Sequence, residues 1–149
     1  MSRNVPPARS ELHPLLAAAT HPLGTLGLCE LRLRDDADYP WLVLVPRVAA
    51  ARELIDLDAV QRHQLTDEID LAARLLRDAF RPHKLNVAAL GNMGPQLHRH
   101  VIAREENDPA RPAPVWGRVA ARSYPPEALV ERARWCRRRC HRRGEAESR

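Results

Sequence analysis

Between residues 28 and 34 apolar and charged side chains alternate: Cys29, Leu31 and Leu33 make one row, Glu30, Arg32 and Arg34 the other. A period of two sets one row against a core and the other toward solvent, so the segment predicts a half-buried strand. Beyond the turn Asp35-Asp36-Ala37-Asp38, the run Trp41-Leu42-Val43-Leu44-Val45 is apolar throughout and bounded by Pro40 and Pro46. It predicts a more deeply buried strand, and the short turn joins the two into a hairpin.

The period then changes. Asp58 with Gln61 three residues later has the form of a capping box, and Leu65, Ile69, Ala72, Ala73, Leu76 and Phe80 follow at helical spacing until Pro82. A helix this long with one apolar face needs a sheet to cover. Residues 85–90 and 97–104 supply two more strands, separated by the turn-rich Gly91-Asn92-Met93-Gly94-Pro95, and predict a second hairpin.

The flanks are shorter. Residues 1–9 read as a loose arm; Ser10 is a candidate N-cap and Pro14 lies near the first turn of a short helix over 15–19, which His21-Pro22-Leu23-Gly24 breaks. Residues 107–114 hold three prolines and predict an irregular stretch. Pro125-Pro126 then introduce a last helix with Leu129, Ala133, Cys136 and Cys140 on one stripe. Helices interleaved with hairpins give an α+β fold with one mostly antiparallel sheet.

Composition narrows the class. A chain of 149 residues, 44% hydrophobic and 29% charged, has the size and balance of a single domain with its own core. No apolar run approaches the roughly 20 residues that cross a bilayer, and the opening lacks the apolar segment of a signal peptide, so a cytoplasmic protein with no membrane partner is expected. Three cysteines cannot all pair within one chain and no CxxC is present, which points away from a disulfide framework and a zinc ribbon. The net charge of +5 owes much to seven arginines between Arg132 and Arg143. With aromatics at only 4%, the interleaving of rings and charge that single-stranded nucleic acid needs is missing, and nucleic acid is not expected as a partner.

Candidate chemistry gathers at residues 96–100. A strand's period puts Gln96, His98 and His100 on one face, the two imidazoles roughly 6–7 Å apart. The glycine-containing loop just before them could turn backbone N–H groups toward an anion. Three readings of the pair remain open from the residues alone: a nucleophile with a supporting imidazole, two structural histidines in a half-polar face, or part of a metal site that lacks a third ligand nearby in sequence.

The stretch LNVAALGNMGPQLHRHVIAR at 85–104 resembles the signature of the histidine triad (HIT) family, His-x-His-x-His followed by two apolar residues. HPLLAAATHPLG at 13–24, LCELRL at 28–33, YPWLVLVPR at 39–47 and PAPVWG at 112–117 are similar to segments of bacterial members, so the resemblance spans about residues 11–117. It implies a HIT-like fold over residues 10–117, a mostly antiparallel sheet with a long covering helix and short flanking helices. Residues 118–149 remain for a C-terminal helix and arginine-rich tail.

The resemblance also implies a function. His98 falls on the family's nucleophile, and His100 on the histidine that supports the phosphate and the nucleophile's surroundings. Gln96 stands where the first histidine belongs. A glutamine keeps a donor and an acceptor but cannot exchange a proton near neutral pH. Asp35 matches a ribose-binding position, and Gly91 and Asn92 belong to the loop expected to hold the phosphate oxygens.

The expected activity is hydrolysis or transfer at the α-phosphate of a purine nucleotide, such as a phosphoramidate or dinucleoside polyphosphate, through a nucleotidyl-histidine. No cofactor and no metal are expected, and a homodimer is. The alternative is a nucleotide-binding or sensing protein of the same fold with little turnover.

Overall fold

The computed structural model describes residues 10–147, so the expected arm over 1–9 lies outside the described residues. Its elements in chain order are α1 (Pro14–Ala19), β1 (Thr20–Thr25), β2 (Cys29–Arg34), β3 (Trp41–Pro46), a 3-10 turn (Leu54–Asp56), α2 (Ala59–Phe80), β4 (Lys84–Ala88), β5 (Arg99–Arg104) and α3 (Pro126–Glu147). The five strands form one antiparallel sheet in the order β1-β2-β3-β5-β4. Both expected hairpins are present, and the second inserts β5 beside β3. That insertion brings His100 opposite Val43 at the centre of the sheet.

The capping box of α2 is formed as the sequence indicates: Gln61 N–H donates to Asp58 Oδ1 at 2.8 Å and Asp58 N–H to Gln61 Oε1 at 2.9 Å. The helix lays Leu65, Ala72 and Leu76 on one face of the sheet, where Cys29, Leu31, Leu33, Leu42, Leu44 and Val101 meet them. Ala133 and Cys136 of α3 join the same cluster, so the C-terminal helix is built into the core of the domain. On the opposite face Tyr39, Trp41, Val43, Val45 and Ile102 pack with Leu16 of α1 and Val115. β3 is buried along its whole length because it contributes to both clusters.

The sequence reading missed β1, taking His21-Pro22-Leu23-Gly24 as a break. Pro22 is tolerated because β1 is an edge strand, and the register shift between Pro22 and Gly24 absorbs the irregularity. The cap of α1 also differs from expectation. His13, not Ser10, supplies it, through Nδ1 accepting from Leu15 N–H at 3.1 Å.

Candidate functional site

β5 begins at Arg99, two residues later than expected, because Leu97 leaves the sheet direction to donate its N–H to Ala51 O at 3.0 Å. Gln96 and His98 therefore lie on the approach to the strand. His98 and His100 still come together, their ring centroids 4.8 Å apart and nearly perpendicular. The Gln96 side chain turns elsewhere: its Oε1 accepts the N–H of His13 at 2.7 Å, tying the cap of α1 to the motif.

Hydrogen bonding fixes the state of both rings. His98 Nδ1 is 2.6 Å from Gln96 O, and a carbonyl only accepts, so Nδ1 carries a hydrogen and the neutral form of the ring has its lone pair on Nε2. His100 has the opposite tautomer. Trp41 Nε1–H donates to its Nδ1 at 2.9 Å, which places the hydrogen on Nε2, facing Leu90 O at 3.4 Å. Burial, with His98 next in effect, pushes the His100 imidazole down to about 4, so this ring is neutral at physiological pH. Both of its nitrogens are engaged within the fold. His100 thus backs the His98 ring from within the fold.

A cavity of about 250 Å³ opens at His98, lined by Gly91, Asn92, Pro95, Gln96 and Arg99 on one side and by Arg52, Glu53 and Leu54 on the other. Gly91 is required here by space. A Cβ on it would stand 3.0 Å from Gly94 O and 3.4 Å from His98 Cε1, so any side chain would displace the loop or the imidazole. Asn92 is exposed at the mouth. The loop over 91–95 lies outside the sheet's hydrogen-bonded ladder, as an anion cradle requires.

Asp35 is placed differently. Its Oδ1 accepts Tyr124 N–H at 3.0 Å and stands 3.4 Å from His21 Nε2. The Tyr124 N–H holds the carboxyl below its ordinary range, and Asp35 does not line the His98 cavity. It fastens the chain before α3 to the end of β2. Arg104 is likewise sealed in: Asp108, Asn86 and the Ala113 carbonyl take its guanidinium. Among the described residues no three metal-ligating side chains converge.

Two residues without a role in the sequence reading flank the histidines. Arg34 lies with its guanidinium 5.2 Å over the Trp41 ring, and Trp116 stands 5.0 Å from His100 and 5.4 Å from Trp41, edge to face. The alternation in β2 put Arg34 on the polar row, read as solvent-facing. In fact that row shares the sheet face with Trp41 and His100, and Arg34 adds to the positive field that disfavours protonation of His100.

Residues 17–107 match the HIT domain family. Among solved structures, a histidine triad protein from Bradyrhizobium japonicum is 43% identical with a TM-score of 0.85, the match covering 88% of this chain and 98% of that one. One from Sinorhizobium meliloti 1021 is 42% identical with a TM-score of 0.82, covering 85% of this chain and 94% of its own. One from Marinobacter aquaeolei VT8 is 39% identical with a TM-score of 0.87, over 91% and 98%. Among curated proteins none matches the chain significantly. Agreement of this extent makes the chain a member of the HIT domain family.

Proposed function

We propose that the chain hydrolyses or transfers the nucleotidyl group of a purine nucleotide with a substituted α-phosphate, His98 being the nucleophile and no metal or cofactor taking part. The observation that carries this reading is the His98 Nδ1 to Gln96 O contact of 2.6 Å, which leaves Nε2 with an available lone pair beside a cavity. Nε2 attacks the α-phosphorus as the bond to the leaving amine or phosphate breaks. The hydrogen stays on Nδ1, donated to Gln96 O, and this bond stabilises the charged ring. Water then attacks phosphorus, its oxygen bonding there as the Nε2–P bond breaks and a proton passes to solvent, which releases the mononucleotide and restores neutral His98. Loop N–H groups near Gly91, Asn92 and the Arg99 cation, all at the cavity, favour the charge on the non-bridging oxygens.

Gln96 cannot protonate the leaving group, so leaving groups that need no acid from the protein are favoured: a polyphosphate, or a phosphoramidate amine that takes its proton from solvent as the P–N bond breaks. The protein acts in this reading as a cytoplasmic homodimer paired through α2 and the β4 edge, where Val60 and Val87 are exposed. Light scattering that gives a 16.9 kDa species at micromolar concentration would refute that assembly.

Turnover of adenosine 5′-phosphoramidate and a dinucleoside polyphosphate, with AMP and GMP binding measured alongside, tests the function. Wild type should turn over at least one, and His98→Ala should lose activity while remaining folded; a variant keeping a tenth of the rate removes His98 from the role. The engagement of Gln96 with His13 N–H favours a second reading, a nucleotide-binding or sensing protein. AMP or GMP binding with no turnover would select it.

A further inference from the structure

On the α2 face of the sheet, away from His98, a cavity of about 310 Å³ lies between the end of α2 and the start of α3. Ala79 and Phe80 form one wall, Ala128 and Trp135 the other, with Tyr124, Glu131 and Arg132 completing it. Phe80 and Trp135 have ring centroids 5.6 Å apart, tilted by 53°. The Arg132 guanidinium stacks 4.5 Å over Phe80 and lies 6.0 Å from the Tyr124 ring. It is held in place by π contacts yet makes no hydrogen bond or ion pair among the described residues, and Nη1 is shielded from solvent without an acceptor. Among the described residues one other arginine, Arg34 over Trp41 on the opposite face, has a shielded nitrogen without an acceptor, whereas the remaining shielded arginines are paired. Arg32 is taken by Thr20 and Glu30, and Arg104 by Asp108, Asn86 and Ala113.

A guanidinium pre-oriented by stacking and lacking an anion is a fork for a carboxylate. The rings beside it offer flat apolar walls. Glu131 is exposed at the rim and unpaired with Arg132, so a doubly charged phosphate meets about twice the repulsion that a monoanion does. We propose that this cavity is a binding site for an aromatic monocarboxylate, its ring among Phe80, Tyr124 and Trp135 and its carboxylate on Arg132. The site is independent of nucleotide chemistry at His98.

The test uses the full chain with 1-naphthoate and its neutral isostere 1-naphthamide, by calorimetry and by NMR of the tryptophan indole signals. Naphthoate should bind saturably, at least about tenfold tighter than naphthamide, and move the Trp135 indole while leaving Trp41 and Trp116 in place. Arg132→Gln should erase the preference, and His98→Ala should leave it intact. Should Arg132→Gln fail to fold, the ratio of the two ligands on the wild-type chain decides. Equal affinities, no binding at millimolar concentration, a preference that survives Arg132→Gln, or shifts at Trp41 and Trp116 in place of Trp135 would each overturn the proposal.

Discussion

Trp41 donates its indole N–H to His100 Nδ1 at 2.9 Å, from β3 to β5 across the sheet. Because an indole nitrogen can only donate, one bond decides both the tautomer of His100 and its inability to take a second proton without losing that partner. His100 in turn presents its ring to His98 at 4.8 Å. The orientation of the candidate nucleophile therefore depends on a tryptophan that does not line its cavity.

Trp41→Phe removes the donor and leaves a gap beside Trp116. The variant should lose about 2 kcal/mol of stability in urea denaturation, from one buried hydrogen bond and a smaller ring. Nitrogen-15 spectra of wild type should show His100 protonated at Nε2 alone, with that preference relaxed in the variant. Protonation of wild-type His100 at Nδ1 would contradict the assignment.

Stability should depend on pH through His100. Its folded pKa of about 4 lies below the ordinary 6.5, so between these values the unfolded chain binds a proton that the folded chain refuses. The contribution is complete above about 6.5, falls as pH drops toward 4, and changes no further below that. Its full size is on the order of 3 kcal/mol. Urea midpoints from pH 4 to pH 7 measure it, and the slope should flatten in His100→Gln; an unchanged slope in that variant would assign the dependence elsewhere.

Gly91→Ala places a methyl group 3.0 Å from Gly94 O and 3.4 Å from His98 Cε1. The loop or the imidazole must yield, so kcat should fall by about 10²-fold with little loss of thermal stability, since the loop is exposed. A variant with unchanged kcat would show that His98 tolerates displacement.

Gln96→His restores a titratable group at the first motif position. If holding neighbours by hydrogen bonds suffices there, kcat should change by less than about tenfold, roughly 1.4 kcal/mol in the barrier. A gain of several orders of magnitude at constant nucleotide affinity would mean that the native chain is a binding protein.

The sequence revealed those parts of the fold where one local rule dominates. Alternation placed β2, the apolar run placed β3, and Asp58 with Gln61 placed the start of α2. β1 stayed hidden because Pro22 reads as a breaker unless the strand is known to be an edge, which only the sheet order establishes. At the site, the His98 and His100 pair was legible from spacing, but their tautomers depend on Trp41 and on the Gln96 carbonyl, long-range and backbone partners that spacing does not encode. Asp35 entered as a candidate through the family resemblance, and nothing in the local sequence shows the bond it makes. Its partner, the Tyr124 N–H, lies 89 residues away.

The central claim is a covalent bond between His98 Nε2 and the α-phosphorus, and stereochemistry at that phosphorus tests it most directly. Hydrolysis of a nucleotide chiral at the α-phosphorus through sulfur and oxygen-18 substitution proceeds by two in-line displacements if a nucleotidyl-histidine forms, and by one if water attacks directly. The account predicts retention of configuration in the product; inversion would contradict it.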